Sequence, residues 1–494
     1  MQSMFSPLDW AVFFGYFLVL GTSSFLFSRI KINSTREFFV GSNSMPTFAV
    51  ALSVLATSQS AATFLGVPEY AYAHDFTFIG FYFSALLAVF FVAYVLVPKF
   101  YAMRAVTVYE LLELRYAKSA KEWAGVMFLV GRVLASGARL YIGALAISMI
   151  LFGDILFAHM ALSIVLLVLG ALAYAYFGGV KSVILSDIIQ AVTYVGAGVG
   201  VLVFLYVSLD HINIFETLNH YEKLKFLDTS VDGKFSIVAL LSGWLLLNIA
   251  AFGLDQDMTQ RVLSCKNEKE AAKSLLLSTL MTIPVVLLFL SIGVLLFLFY
   301  LQADVTQSFE GEKITIFMYF ILHEMPEGLR GLVTVGAIAA ALSSTNSVLG
   351  AMASVAVEDI YKPYMLKRGT FDEMHFVKAS KNAVLFFALV LSAMAMLSYF
   401  WQRYSDLSLV SFALGVMAFA YTGLLGVYFA AIFTKRGSAR VVPFALMGGF
   451  MSVLALQPYV FGLSVGFAWQ MLLGTFVSFF IMMLEKDDSS LKGV

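Results

Sequence analysis

A cluster of polar side chains interrupts one of the long apolar stretches of this sequence. Residues 343–347 read Ser-Ser-Thr-Asn-Ser, and residues 332–357 contain no Asp, Glu, Lys or Arg. Hydroxyl and amide groups are costly in hydrocarbon unless the protein uses them. On a helix, Ser343 and Ser347 lie one turn apart on one face, and Ser344 is turned away from Ser343 by about 100°. This column of hard oxygen ligands at membrane depth predicts a Na⁺ site.

Two other segments are unsuited to an unbroken helix. Segment 46–73 combines the hydroxyls of Ser53, Thr57, Ser58, Ser60 and Thr63 with Gln59, Gly66 and Pro68. Segment 236–262 carries Ser, Gly and Asn ahead of an Asp-Gln-Asp run. We predict two discontinuous helices whose unwound turns face a cavity. The alternative for either segment alone is that its hydroxyls bond the carbonyls of their own helix.

The placement of these two segments favours the first interpretation. They are the second and the seventh membrane span in the count given below, which is five spans apart. Because five is odd, the second group of spans enters the membrane with the opposite polarity. Matching broken segments in two inverted groups indicate a transporter binding site.

Three charged residues within predicted spans each allow two interpretations. Asp187 is either an acid favoured by the dipole at a helix start, or a carboxylate that completes the cation site of residues 343–347. An unpaired carboxylate at that depth would be expensive, and a bound Na⁺ would neutralise it. Arg132 and Arg139 share one helix face. Either could bind a substrate carboxylate in a bidentate manner or brace the helix bundle.

The overall composition identifies a membrane protein. The chain has 494 residues, of which 61% are hydrophobic and 13% are charged, whereas soluble domains carry roughly 25% charged residues. A net charge of zero without a basic tract predicts no nucleic-acid partner. The single Cys265 excludes an internal disulfide. Because no catalytic motif or metal-like His spacing occurs, we expect no enzyme activity and no organic cofactor.

Apolar stretches of about 20 residues predict thirteen membrane spans. They lie near residues 8–28, 46–73, 77–98, 122–151, 156–177, 183–208, 236–262, 273–301, 329–357, 380–400, 407–433, 441–457 and 462–484.

Charge sets the orientation of these spans. The first stretch follows a leader with Asp9 but no Lys or Arg, which predicts a retained helix with its N-terminus outside rather than a signal peptide. In that orientation, 23 of the 31 Lys and Arg lie in inner loops or at inner helix ends, Arg261 included, and six lie outside. Only Arg132 and Arg139 remain within a span. This distribution favours thirteen spans with the C-terminus inside.

The sequence resembles the sodium/solute symporter family, which includes sodium-coupled carriers of sugars, proline, iodide, monocarboxylates and sialic acid. The similarity covers nearly the whole chain and rests on three motifs, at residues 178–190, at 255–261, and at 339–347 continuing to 359–361. The hydroxyl-rich stretch 56–64 is similar to that of the bacterial sialic acid branch.

The resemblance implies an all-α, LeuT-like fold in a single transmembrane transporter domain. Two inverted repeats of five helices would span residues 46–208 and 236–433. One additional helix, 8–28, would precede them, and two helices within 441–484 would follow.

The resemblance also implies where Na⁺ binds. The general site of the family maps to the backbone carbonyls of Ala56, Gln59 and Ala340 and the hydroxyls of Ser343 and Ser344. A second site, found in some members, maps to Asp187, Ser343, Asn346 and Ser347. Asn346 departs from the family pattern, because the sialic acid carriers have a hydroxyl at that position.

By similarity, the substrate would lie between the two broken helices. Its expected contacts are Ser58, Ser60, Thr63, Phe78, Tyr82 and Asn248, with Arg132 as a partner for a carboxylate. Tyr82 stands where the sialic acid branch has an amide, and Ala61 stands where that branch has a hydroxyl. These two differences argue against sialic acid itself.

These features together predict a Na⁺-coupled secondary active symporter. We expect it to import a small polar organic solute, such as a sugar, a sugar acid or another carboxylate, by alternating access. Na⁺ would be the coupling ion, and the chain would work as a monomer in the lipid bilayer of a bacterial inner membrane. A sodium-gated sensor or channel-like protein of the same fold stays open as an alternative, as does a proton-coupled carrier that uses Asp187.

Overall fold

The apolar stretches of the sequence form helices. The structure is a computed structural model that describes residues 5–29, 32–210, 212–231, 233–301, 303, 308–309, 312–403, 409–463 and 465–486. Parts of the predicted outer loop 302–328 and of the C-terminal tail lie outside the described residues.

The helices of the first half of the chain begin at the N-terminus and end before residue 221. They are α1 (Pro7–Ser28), α2 (Thr35–Val40), α3 (Thr47–Ser58), α4 (Ala61–Ala73), α5 (Gly80–Phe91), α6 (Val97–Ala102), α7 (Glu110–Arg115), α8 (Lys118–Ile147), α9 (Phe157–Ser208) and α10 (Ile214–His220). Short 3₁₀ turns at Gly41–Asn43 and Thr77–Ile79, and π turns at Val92–Leu96 and Ser148–Phe152, extend these helices.

The second half of the chain has the same character. Its helices are α11 (Ile237–Leu241), α12 (Gly243–Ile249), α13 (Gln256–Val262), α14 (Glu268–Phe299), α15 (Ile316–His323), α16 (Leu329–Ser354), α17 (Lys362–Leu366), α18 (Glu373–Arg403), α19 (Leu409–Phe433), α20 (Val442–Ala455), α21 (Pro458–Phe461) and α22 (Phe467–Met483). Two π turns, Ala250–Leu254 and Val355–Tyr361, and a small hairpin of β1 (Ser308–Phe309) and β2 (Glu312–Lys313) complete the described elements.

Within the described residues, eight helices are long and apolar enough to cross a membrane, or nine if the bent pair α3 and α4 counts as one span. The long helix α9 covers two of the thirteen predicted spans. The last three predicted spans correspond to the shorter apolar helices at Met417–Phe433, Val442–Ala455 and Phe467–Met483. The total of thirteen therefore stays a prediction.

Helix α9 is interrupted at Gly179. Its 52 residues would extend about 78 Å if straight, far more than the roughly 30 Å of a bilayer core. Gly179 has φ 57° and ψ −154°, a backbone conformation that is almost confined to glycine. A Cβ atom there would lie 2.4 Å from the carbonyl oxygen of Phe38. This break lies between the two spans predicted at 156–177 and 183–208.

The first broken segment is confirmed, but its break lies elsewhere than the helix breakers suggest. Helices α3 and α4 meet at an angle of 64°, and the chain between them is extended at Gln59 and Ser60. Gly66 and Pro68 lie inside the continuous helix α4. Pro68 is the eighth residue of α4, so its missing N–H costs the helix the hydrogen bond to the Phe64 carbonyl without ending the helix.

The second broken segment has two interruptions. Ser242, with φ −118° and ψ −97°, separates α11 from α12, and Asp255 is extended after the π turn that follows α12. The Asp255 side chain accepts a hydrogen bond from the backbone N–H of Asp257, so it caps α13. Both segments predicted to be discontinuous are therefore broken.

Helix α16, which carries residues 343–347, lies at the centre of the helix packing. It contacts α9, α8, α1, α3 and α18, and most of its side chains are buried. Its N-terminus is capped by another helix. Asp9, in the first turn of α1, accepts hydrogen bonds from the backbone N–H groups of Gly328 (2.8 Å) and Gly331 (2.7 Å).

The break at Gly179 supplies the first prediction. Gly179→Ala should lower the free energy of unfolding by at least about 1–3 kcal/mol, because the backbone conformation excludes a Cβ and the Phe38 carbonyl cannot easily move. The measurement is the melting temperature of the detergent-purified protein. The matched control is Gly196→Ala in the same helix, where a Cβ would meet nothing within 4 Å. Equal melting of both variants would show that the Gly179 conformation is not required.

Candidate functional site

A cavity of about 110 Å³ lies between the two broken helices. All seven residues that the sequence predicted for the substrate line it, namely Ser58, Ser60, Thr63, Phe78, Tyr82, Arg132 and Asn248. They come from α3, α4, the turn that precedes α5, α5 itself, α8 and α12. Residues far apart in the sequence are therefore brought together at one place.

The helix break explains why polar atoms reach this cavity. Ser58 ends α3 and Ser60 precedes α4, so both lie at the unwound turn. Asn248 projects from α12; its Nδ2 donates to the Phe81 carbonyl (3.3 Å), whereas its buried Oδ1 has no hydrogen-bond partner among the described residues. A buried amide oxygen without a donor is expensive, so it is suited to accept a hydrogen bond from a ligand.

Arg132 lines the cavity but is also held by two buried carboxylates. Its Nε and Nη2 contact Asp255 at 3.1 and 2.5 Å, and Nη2 contacts Asp257 at 2.9 Å. Tyr421 donates a further hydrogen bond to Asp255. Nη1 of Arg132 is buried and has no partner in the described part of the chain. One edge of this guanidinium is therefore still available for a ligand.

Arg139 lines the same cavity and differs from Arg132 in its partners. Its Nη2 donates to the sulfur of Met417 (3.0 Å), and a thioether is a weak acceptor. No carboxylate pairs with Arg139 among the residues that the structure describes. The cavity therefore contains a largely uncompensated guanidinium, which suits an anionic group on a bound solute.

The five residues predicted for the general Na⁺ site meet several requirements of a cation site. The helix break leaves the carbonyls of Ala56 and Gln59 without a backbone donor in the described structure. Ser343 donates to Asp187 (2.8 Å), and Ser344 donates to the Ala340 and Ala341 carbonyls of its own helix (3.2 and 3.1 Å). Because both hydroxyl protons are engaged in this way, the oxygen lone pairs are free for a cation.

The guanidinium of Arg261 competes with Na⁺ for the second set of predicted ligands. The Nε of Arg261 lies 3.3 Å from Asp187 Oδ2, and its Nη2 donates a hydrogen bond to Ser347. Asp187 also accepts hydrogen bonds from Ser53 (2.5 Å) and Ser343 (2.8 Å). A guanidinium therefore contacts two of the four proposed ligands directly.

The fourth proposed ligand, Asn346, is engaged as well. Its Nδ2 lies 3.3 Å from the Ser186 hydroxyl, to which it donates, and its Oδ1 accepts a hydrogen bond from Ser347 (3.3 Å). The amide oxygen, the only atom of this side chain that could bind Na⁺, accepts this one long hydrogen bond and keeps a second lone pair.

These contacts add a partner that was not predicted from the sequence. Arg261, counted above among the cations at inner helix ends, is buried with 1% of its side chain exposed. Asp187, interpreted above as either a helix-start acid or a cation ligand, is paired with Arg261. The sequence contained one signal for Arg261, namely its place in the Asp255–Arg261 motif. Because Arg261 precedes a basic loop in the sequence, its burial was not predicted. The contributions of Ser53 and Tyr421 also went unrecognised.

The two arginines join the two halves of the site. Arg261 contacts Asp187 and also Asp257, the latter at 3.2 Å, and Asp257 in turn contacts Arg132. A continuous chain of buried ion pairs therefore runs from the cavity to the hydroxyl column of α16. Within the described residues, no group of three or more His, Cys, Asp or Glu side chains could hold a metal ion.

The sequence matches the Sodium:solute symporter family over residues 38–451. It is 27% identical to the sodium/sialic acid symporter SiaT of Proteus mirabilis over 483 residues, which cover 95% of this chain and 93% of that protein. It is 25% identical to the sodium/sialic acid symporter NanT of Aliivibrio fischeri over 463 residues, which cover 91% of this chain and 88% of that protein.

The structure is similar to a solved one. It superposes on the substrate-bound, outward-open state of a Na⁺-coupled sialic acid symporter with a TM-score of 0.83, 26% sequence identity and 97% of each chain covered. This similarity confirms the all-helical, LeuT-like membrane fold expected from the sequence. It does not establish the number of spans.

The buried ion pairs generate a second prediction. Arg261→Gln should destabilise the protein by about 3–5 kcal/mol, because it leaves Asp187 without its cation in a nonpolar environment. Asp187→Asn combined with Arg261→Gln should lose less than the sum of the single changes, because the double variant removes both charges.

Melting temperatures of the purified variants measure this coupling. The control is Arg139→Gln, which removes an arginine that has no carboxylate partner in the described structure and should melt like the wild-type protein. Additive effects of the two single changes would contradict the ion pair.

Proposed function

The chain belongs to the sodium:solute symporter family, and from this premise we propose that it imports a small polar organic solute together with Na⁺ by alternating access. The observation that carries the proposal is one unwound turn with two roles. It places Ser58 and Ser60 in the cavity and leaves the Ala56 and Gln59 carbonyls free beside α16. Relatives that are Na⁺-coupled symporters support Na⁺ as the coupling ion.

We assign the coupling ion to Ala56, Gln59, Ala340, Ser343 and Ser344. In this arrangement Na⁺ would join α3, which ends at the break, to α16, and so would favour one conformation of the cavity. If the solute binds to that same conformation, it must raise the affinity for Na⁺ by the same factor by which Na⁺ raises the affinity for the solute. Release of Na⁺ into a compartment with little Na⁺ would then favour the other conformation.

The contacts of Arg261 favour one Na⁺ per cycle. Its guanidinium already compensates Asp187 and donates to Ser347. Na⁺ at the second set, Asp187, Ser343, Asn346 and Ser347, would require Arg261 to move away. The second site thus becomes a proposal that depends on such a movement.

For the solute we propose a carboxylate, such as a sugar acid or a small organic acid. Arg139 and the free edge of Arg132 provide cationic donors, while Ser58, Ser60, Thr63 and Asn248 provide hydrogen bonds for hydroxyls. Phe78 and Tyr82 form an aromatic wall. Several of the relatives carry sialic acid, but Tyr82 and Ala61 differ from that branch, so we propose a different acid.

The remaining parts of the proposal concern the setting. We propose a monomer in a bacterial inner membrane, with the N-terminus outside and the C-terminus inside, and inverted repeats at residues 46–208 and 236–433.

A proton-coupled carrier is the less favoured alternative, because Asp187 is engaged by Arg261 and two hydroxyls. A sodium-gated sensor or channel of the same fold would bind the solute without concentrating it.

The direct test is thermal stabilisation of the purified protein by a panel of sugars, sugar acids, amino acids and monocarboxylates, in Na⁺ and in K⁺. We expect an acid to raise the melting temperature in Na⁺ only, with a Hill coefficient for Na⁺ close to one. Concentrative uptake of that acid into proteoliposomes under a Na⁺ gradient then separates a carrier from a sensor. Equal shifts in Na⁺ and K⁺ would rule out Na⁺ as the coupling ion.

A matched pair of variants tests the ion site in the same assay. Ser344→Ala removes a proposed ligand and should abolish the Na⁺-dependent shift while leaving the protein folded. Thr345→Ala removes the neighbouring hydroxyl, which donates to the Ala341 carbonyl (2.7 Å) and is not a proposed ligand. It should keep wild-type Na⁺ dependence. Wild-type Na⁺ dependence in Ser344→Ala would refute the assignment.

Arg139 provides a test of the solute class. Arg139→Gln should lower the affinity for an acidic solute by about 10- to 100-fold, because a charge-assisted hydrogen bond contributes about 1.5–3 kcal/mol. The corresponding amide or alcohol, which carries no charge, should bind the variant and the wild-type protein equally. Arg139→Lys serves as the control that keeps the charge. An equal loss for the acid and its neutral analogue would show that Arg139 does not read the carboxylate.

A further inference from the structure

A second cavity, remote from the central one, is lined by cations. It has a volume of about 360 Å³, and Arg36, Arg104 and Lys266 line it together with Asn43 and Tyr101. We call it the basic cavity. Its cations come from three separate segments, namely α2, the loop between α6 and α7, and the loop between α13 and α14. All three segments belong to loops predicted to face the cytosol.

None of the three cations of the basic cavity forms an ion pair within the described structure. No Asp or Glu is found among the described residues that line it. Arg36 donates two hydrogen bonds to neutral acceptors, the carbonyl of Arg104 (2.8 Å) and the amide oxygen of Asn43 (2.8 Å). The side chains of Arg104 and Lys266 are exposed, and neither forms an ion pair in the described part of the chain. Three like charges thus face one space.

The walls of the basic cavity are held in place by hydrogen bonds that do not use these charges. Tyr101 donates to the carbonyls of Val262 (3.0 Å) and Cys265 (2.9 Å). Asn43 donates to the carbonyl of Leu263 (2.5 Å). The cavity is therefore preorganised, and an anion that enters it need not order its walls.

We propose that the basic cavity binds a phosphate-bearing anion. Guanidinium and ammonium groups that converge without a carboxylate match the charge and the donor geometry of a phosphate. Basic pockets between helix ends on the cytosolic side of a membrane protein suit the headgroup of an anionic lipid. A soluble phosphate compound carries the same group, so the two sources share one chemistry.

The position of the basic cavity gives this anion a structural role. The backbone N–H of Met45 donates to the carbonyl of Ser264 (3.0 Å), which joins the chain before α3 to the chain after α13. Each of these helices is part of one broken segment. An anion that bridges Arg36, Arg104 and Lys266 strengthens this connection and stabilises the conformation in which the two ends meet. This site is independent of the solute and ion assignments proposed above.

The experiment measures the melting temperature of the full chain in a zwitterionic detergent. One arm adds dihexanoyl phosphatidylglycerol, with dihexanoyl phosphatidylcholine as the neutral counterpart. The other arm adds sodium phosphate, with chloride matched in Na⁺ and ionic strength. We expect phosphatidylglycerol to stabilise the protein more than phosphatidylcholine does. A shift by phosphate as well identifies the phosphate group alone as sufficient, and either result supports the proposal.

Variants assign the effect to the basic cavity. Arg104→Gln with Lys266→Gln removes two exposed charges and keeps the backbone contacts, so the protein should fold. The double variant should have an affinity for the anion that is lower by about 10- to 30-fold, since each cation contributes about 1 kcal/mol. Arg104→Lys keeps the charge and should recover most of the affinity if Lys266 is intact.

The matched control removes the same number and type of charges from another inner loop. This control is Lys367→Gln combined with Arg368→Gln. Both residues follow α17, and neither lines the basic cavity. This control should respond to the anion like the wild-type protein. The proposal is overturned if no anion stabilises the wild-type protein beyond its neutral counterpart. It is equally overturned if the cavity variant and the control lose the effect to the same extent.

Discussion

A carboxylate buried among membrane helices is expensive unless a cation compensates it, and this constraint organises the site. Asp187, Asp255 and Asp257 are all at most 2% exposed, and Arg132 and Arg261 lie between them. Each carboxylate has a guanidinium within hydrogen-bonding distance, because an uncompensated charge at such a depth would cost several kcal/mol. The ion pairs tie α8, α9 and α13 to one another, so the helices that surround the cavity cannot shift independently without separating charges.

The unwound turn between α3 and α4 would give the proposed coupling a physical basis. An ordinary helix would satisfy every carbonyl within itself and would present few polar atoms to a neighbour. The break at Gln59 and Ser60 releases carbonyls on one side and directs hydroxyls into the cavity on the other. In the proposed arrangement the same few residues face both ligands, so a cation that fixes this turn would also fix part of the solute site. Coupling of this kind requires only that both ligands prefer one arrangement of the turn.

Much of this arrangement could be predicted from the sequence, since polar residues inside apolar stretches are conspicuous. Residues 343–347 and both broken segments were recognised in this way, whereas the seven predicted substrate contacts, all of which are among the residues that line the cavity, came from the resemblance to the family. What escaped prediction depends on packing in three dimensions. Arg261 lies beside a basic loop in the sequence and yet is buried, and the break of the first segment falls at Gln59 although Gly66 and Pro68 are the stronger helix breakers. Local propensity cannot reveal either result, because each is decided by partners contributed by other helices.

The N-terminal helix is part of the same construction, although it lies outside the predicted repeats. Its Asp9 is fully buried and accepts hydrogen bonds from the first N–H groups of α16. At this end of a helix the unsatisfied N–H groups and the helix dipole both favour a carboxylate. The fit is close: Gly328 has φ 80°, and a Cβ at Gly331 would lie 2.8 Å from the Cα of Asp9. Hydroxyls can serve as cation ligands only if the helix that carries them is held in position. By fixing the start of α16, α1 helps to hold residues 343–347 against α3, where the hydroxyls of Thr57 and Ser347 are hydrogen-bonded at 3.3 Å.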